Sequence, residues 1–124
     1  MIIFAMALAT STPTALTDAQ QSDIACVAVL ATLAEKQRTG TAPPAAPDVQ
    51  QSGKRWAGIV GSRINAQSGQ PRELVAVAMS EAAQTEFARP SDLSHITKCA
   101  MQMTAELANA DLVDKPLPKP VKSE

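Results

Sequence analysis

Three residues near the end of the chain have the types and spacing of a catalytic series: Asp92, His95 and Cys99. Spacings of three and four residues place all three near one face of an α-helix. A carboxylate, an imidazole and a thiol in this order resemble an acid, a base and a nucleophile. However, a nucleophile and its base usually come from different elements that meet in a cleft, and no oxyanion-hole motif accompanies them. We therefore predict no enzymatic activity and no catalytic residue, and keep a thiol-dependent enzyme using Cys99 and His95 as the alternative.

The same part of the sequence supplies the candidate metal ligands. Cys26, His95 and Cys99 are the only soft ligands in the chain, whereas a structural zinc ion normally takes four ligands. The sequence also has no glycine-rich phosphate loop, no dinucleotide-binding fingerprint and no metalloprotease motif. We expect neither a metal site nor another cofactor.

The two cysteines, Cys26 and Cys99, lie 73 positions apart, on the first and the last of four predicted helices. This arrangement in a small exported chain is typical of a disulfide, which we predict. Closing a loop of this length restricts the unfolded chain by about 4.4 kcal/mol. A lipid anchor on Cys26 is an alternative, but the polar stretch LTDAQQSD separates this cysteine from the apolar N-terminal run. We expect no stable membrane anchor.

The N-terminus indicates where the protein resides. Residues 2–9 form an uncharged apolar run that is too short to span a bilayer and is followed by small residues. This pattern is typical of a secretory signal peptide, although no Lys or Arg precedes the run. We predict a signal peptide over residues 1–16 and a periplasmic location. The alternative is an apolar N-terminal turn of a cytosolic helical protein.

The composition limits the size of the core and the choice of partners. The chain has 124 residues, which is enough for one domain, and aromatic residues make up only 2% of it. Alanine supplies much of the apolar content and buries little area per residue, so the core is thin. Lys and Arg total 11 against 12 Asp and Glu, which leaves no net basic charge to attract nucleic acid.

Apolar periodicity and proline or glycine punctuation predict four helices, at about residues 17–38, 49–66, 71–87 and 92–110. Thr17 and Gln20 form a capping-box pair for the first, Asp48 is the expected N-cap of the second, and Ser91 that of the fourth. Gly69 should end the second helix. We predict an all-α four-helix bundle over residues 17–110, with the first and fourth helices adjacent and disulfide-linked. Residues 111–124, rich in Pro and Lys, should be a disordered tail that contributes nothing to the fold.

The second helix carries the candidate partner-binding residues. Arg55 and Arg63 accompany the only tryptophan, Trp56, and a basic patch with an exposed aromatic could bind another protein. The other interpretation of Trp56 is a core anchor. Gly58 and Gly61 lie on or beside the apolar stripe of this helix, where close helix packing or a bound ligand could compensate for their low helix propensity.

Several segments resemble small exported helical proteins of unknown function that are common in sphingomonad-type Alphaproteobacteria. The segments are IACVAVLATLA, RWAGIVGSRINA, RELVAVAM and KCAMQM. The resemblance implies a periplasmic all-α protein in which Cys26 and Cys99 lie close together, and it implies no activity. The chain is more distantly similar to periplasmic acid-stress chaperones and, in WAGIVGSRINA, to immunity proteins. We therefore expect a non-enzymatic protein-binding module, either an envelope holdase or an inhibitor of the immunity type, whose partner is another protein.

Overall fold

A computed structural model describes residues 15–114, which form four α-helices and no strand. The helices are α1 (Asp18–Thr39), α2 (Gln50–Ser68), α3 (Arg72–Ala88) and α4 (Leu93–Asp114). The predicted all-α four-helix bundle is confirmed. Most of the predicted signal peptide lies outside the described residues, but Leu16 is within them and packs against the core.

Helix α1 is the central helix of the bundle. It begins with the predicted capping box, in which the Gln20 amide donates to the Thr17 hydroxyl at 3.1 Å and the Thr17 amide donates to the Gln20 side chain at 3.0 Å. It ends at Gly40, whose φ of 77° lies in the left-handed region that glycine favours. Its buried residues are Gln20, Ile24, Cys26, Val27, Ala28, Val29, Leu30, Thr32 and Leu33. Since these residues cover most of the circumference, α1 can pack against all three other helices.

Two predicted N-caps are wrong by one residue. The N-cap of α2 is Val49, and Asp48 lies one residue earlier, where its carboxylate accepts a hydrogen bond from the Gln50 amide. At α4, Asp92 is the residue that caps the helix, because its carboxylate accepts from the His95 amide at 2.8 Å. Ser91 instead donates its amide and hydroxyl to the Glu86 carboxylate, at 2.6 and 2.9 Å. These hydrogen bonds hold the connection between α3 and α4 against the C-terminal end of α3.

Helix α4 continues one turn beyond the predicted end at residue 110. No glycine or proline lies between residue 110 and Pro116, so no strong helix breaker ends α4 at the predicted position. Asp111, placed in the tail by the sequence prediction, forms an ion pair with Arg55 of α2. The predicted disordered tail is therefore wrong for residues 111–114, which belong to α4, and residues 115–124 lie outside the described residues.

The four helices pack in a rhombus, with α1 and α2 along the short diagonal. Each of these two helices contacts all the others, whereas no Cα atoms of α3 and α4 come within 8 Å in the described chain. The largest fully buried side chains are Trp56, Leu30, Ile64, Val49, Val60 and Cys99. The core therefore lies mainly between α1, α2 and α4, and α3 covers only one side of it.

Candidate functional site

The predicted disulfide is present. Cys26 of α1 is bonded to Cys99 of α4, with Cα atoms 5.2 Å apart, and this confirms both the bond and the adjacency of the two helices. His95 Nε2 lies 3.8 Å from Cys99 Sγ. Asp92 binds the backbone amide of His95 as a helix cap. In the oxidised protein Cys99 therefore has no thiol to act as a nucleophile.

Trp56 lies in the core. Its relative exposure is 0%, and its indole Nε1 donates a hydrogen bond to Glu106 Oε1 at 3.1 Å. Complete burial leaves no part of the Trp56 side chain on the surface of the bundle, so the possible partner-binding role gives way to the core-anchor role. The core-anchor interpretation is the correct one.

A polar cluster surrounds the edge of Trp56, and we define it as Asp23, Arg63, Gln102 and Glu106. Arg63 donates to Glu106 Oε1 at 2.8 Å and to Asp23 Oδ2 at 3.1 Å. Gln102 Nε2 donates to the remaining oxygens of the same two carboxylates, at 2.8 Å for Asp23 Oδ1 and 3.0 Å for Glu106 Oε2. The cluster joins α1, α2 and α4 through partly buried groups whose hydrogen-bonding capacity is used within the chain.

Both candidate arginines are therefore engaged in ion pairs within the chain. Arg63 is bound to two carboxylates, and Arg55 pairs with Asp111 across α2 and α4. A partner that used either guanidinium would have to share it with these carboxylates, so neither arginine is a ready anchor. In the part of the chain that the structure describes, no group of three or more His, Cys, Asp or Glu side chains has a metal-binding arrangement.

Opposing effects set the ionisation of Glu106. Partial burial acts most strongly and by itself raises its pKa, but hydrogen bonds from Gln102, Trp56 and Arg63 and the charge of Arg63 together lower the pKa below the ordinary 4.5. A carboxyl whose pKa is lowered by folding stabilises the folded state above its ordinary pKa. That contribution is lost as the pH falls through the lowered value.

We expect Glu106→Gln to cost about 2 kcal/mol of unfolding free energy near neutral pH, where a charge-assisted interaction is lost. The difference from the unmodified protein should shrink as the pH is lowered from neutral to below the ordinary value of 4.5, because Glu106 itself becomes protonated. Urea unfolding at a series of pH values measures both effects. Glu73→Gln, on the exposed side of α3, is the matched control. A constant difference across this pH range would contradict the assigned role of the Glu106 charge.

Helix α3 exposes large apolar side chains that do not pack in the core. Val75 is the only buried residue among the 17 of α3, all of which are described. Leu74 is 53% exposed, Val77 51% and Phe87 71%. Helix α3 contacts α1 and α2 but not α4, so it has apolar residues in excess of what the core covers.

A groove adjoins this surface where α3 crosses α1. A depression of about 370 Å³ lies between Ala31, Thr32 and Glu35 of α1 and Ser80, Ala83, Gln84 and Phe87 of α3. Ala31 and Glu35 also line a depression of about 350 Å³ between α1 and α2, which reaches Ala57. Ala57 in turn borders a depression of about 320 Å³ between α2 and α3. We call these three adjoining depressions the three-helix groove.

The two central glycines of α2 both border the groove but differ in their surroundings. A Cβ atom on Gly61 would lie 3.5 Å from Met79 Cε, an ordinary packing distance. A Cβ atom on Gly58 would have no heavy atom within 4 Å in the described structure. Packing against Met79 therefore favours a small residue at position 61. No neighbouring side chain in the described structure accounts for a glycine at position 58, which opens onto the groove.

Comparisons with protein-family models, with curated proteins and with solved structures find no significant match to this chain. In residues 15–114, no helix is both long enough and apolar enough to cross a membrane. The chain's own residues therefore carry the evidence on function. What they define is an all-α bundle with a disulfide, a polar cluster directed inward and an apolar groove on its α3 side.

Proposed function

We propose that this protein is a non-enzymatic protein-binding module that acts in the periplasm. The observation that carries the proposal is the three-helix groove, beside which Phe87 is 71% exposed. An exposed apolar groove flanked by a large aromatic side chain is typical of a protein interaction site. The groove is shallow and open, which suits a partner's surface better than an enclosed small molecule.

Two features support the periplasmic part of the proposal. The Cys26–Cys99 disulfide is of a kind that persists in oxidising compartments. The apolar run over residues 2–9 has the character of a secretory signal. With near balance of acidic and basic residues, another protein is a better partner than nucleic acid.

The proposal covers two subclasses, an envelope holdase and a specific inhibitor of the immunity type. A holdase exposes apolar surface to many unfolded clients, whereas a specific binder presents one shape to one partner. Helices α1 and α2, which form two sides of the groove, pack in the disulfide-linked core, and the defined shape of these two sides supports the specific binder. A thiol-dependent enzyme would need Cys99 reduced, so a free Cys99 that reacts rapidly with a thiol reagent in the exported protein, purified without reductant, would argue against our proposal.

Site-specific photo-crosslinking in periplasmic extract tests the binding function. A photoreactive residue is placed at position 87 on α3, and in a matched control at position 101 on α4, where Met101 is 68% exposed. We expect one dominant crosslinked protein from position 87 and none from position 101. Many different crosslinked proteins, together with suppressed aggregation of a denatured model protein, would assign the holdase subclass. Equal or absent crosslinking at the two positions would overturn the proposal.

A further inference from the structure

We propose that the three-helix groove binds an amphipathic helix of the partner, with small apolar side chains on one face and carboxylates along its flank. The inference rests on the protein-binding function proposed above and adds the chemistry of the partner. It follows from the shape of the groove and from the charges that line it.

The shape of the groove suits a helix. Helix α1 supplies the floor through Ala31 and Ala34, and α2 and α3 supply the walls. Because alanine and glycine line the floor and the α2 wall, a partner backbone can approach closely, and packed helix axes lie about 8–10 Å apart. Phe87 stands at the α3 wall and offers the large apolar contact area that interface cores favour.

Gly58 fits the same geometry. It lies in the middle of α2, where glycine costs about 1 kcal/mol relative to alanine. No neighbour within the described chain needs the space. A partner helix that crosses α2 at this point would occupy it.

The charges of the groove are predominantly positive, although the whole chain has a net charge of −1. The charged residues that line it are Glu35, Arg38, Lys54 and Arg72. Glu35 is already paired with Arg38. Among the described residues, Lys54 and Arg72 form no hydrogen bond or ion pair. Lys54 acts on Glu35 through its charge alone, so Arg38, Lys54 and Arg72 leave the groove with an excess of positive charge that is complementary to an acidic amphipathic helix.

Two synthetic helical peptides with the same Leu and Ala stripe, one flanked by Glu and the other by Lys, test this chemistry. Binding of each labelled peptide to the oxidised protein is followed by fluorescence anisotropy. We expect the Glu peptide to bind at least about tenfold more tightly than the Lys peptide, with a preference that weakens at high salt. Lys54→Glu should remove most of the preference. Lys98→Glu, the same change at an exposed site on α4, should leave it intact.

Several outcomes would overturn the inference. These are equal binding of the two peptides, binding of neither, or the same loss from Lys98→Glu as from Lys54→Glu. Sedimentation that shows a dimer dissociated by Phe87→Ala would assign the groove to a second copy of this chain. If neither peptide binds while position 87 still crosslinks one partner, only the inference of an acidic helix is wrong. If neither peptide binds and position 87 crosslinks no partner, the proposed binding function is wrong as well.

Discussion

Reduction of the Cys26–Cys99 disulfide is expected to lower the free energy of unfolding by about 4.4 kcal/mol. The two cysteines are separated by 73 positions, and the loop-entropy relation gives this value for a closed loop of that length. Small domains are stable by only about 5–15 kcal/mol in total. The reduced protein should therefore be only marginally folded.

Urea unfolding of the oxidised and the reduced protein, followed by circular dichroism, measures this loss. The double variant Cys26→Ala with Cys99→Ala provides a second measurement that needs no reductant. His95→Ala is the control, because it removes the exposed imidazole beside Cys99 and leaves the disulfide in place. Coincident unfolding midpoints for the oxidised and reduced protein would show that packing alone holds α1 against α4.

Trp56→Ala is expected to destabilise the bundle by about 3–5 kcal/mol, the range for deleting a buried aromatic side chain. Trp56 is the largest fully buried side chain, and the core has few other large groups that could fill its place. The substitution also removes one hydrogen bond from Glu106. Chemical denaturation followed by circular dichroism gives the change directly.

Trp56→Phe separates packing from hydrogen bonding at this position. Phenylalanine keeps an aromatic ring but has no N–H group, while Arg63 and Gln102 continue to donate to Glu106. We expect this variant to lose about 1–2 kcal/mol, clearly less than the alanine variant. Equal losses from the two variants would mean that the Glu106 contact, rather than the volume of the indole, determines the cost.

The parts of the fold that were predictable from sequence depend on residues close together in the chain. Thr17 and Gln20, three positions apart, predict the start of α1, and Gly69 predicts the end of α2, because each signal acts within one turn. The disulfide was predictable for a different reason, since the chain has two cysteines and only one pairing is available. Ser91 was placed one residue from the observed cap because the neighbouring Asp92 competes for the same role. Asp48 was misplaced because α2 begins after Val49, which has no side chain able to cap a helix.

The polar cluster was missed because its members are far apart in sequence. Asp23 and Gln102 are separated by 79 positions, and Trp56 and Glu106 by 50. Helical periodicity reports which residues share a face and says nothing about which faces meet. One signal was present: Trp56 and Arg63, seven positions apart, lie on one face of α2. This spacing associates Arg63 with the core and leaves its partners unspecified.

The position of α3 at the far corner of the rhombus has a consequence for local unfolding. Helix α3 buries one side chain, touches only two helices and is not itself part of the disulfide. Its opening therefore costs less than global unfolding, and its amide hydrogens should exchange with solvent before those of α1, α2 and α4. Since α3 forms a wall of the groove, a bound partner is expected to slow this exchange. Slower amide hydrogen exchange in α3 would then show that a partner occupies the groove while the rest of the bundle is unchanged.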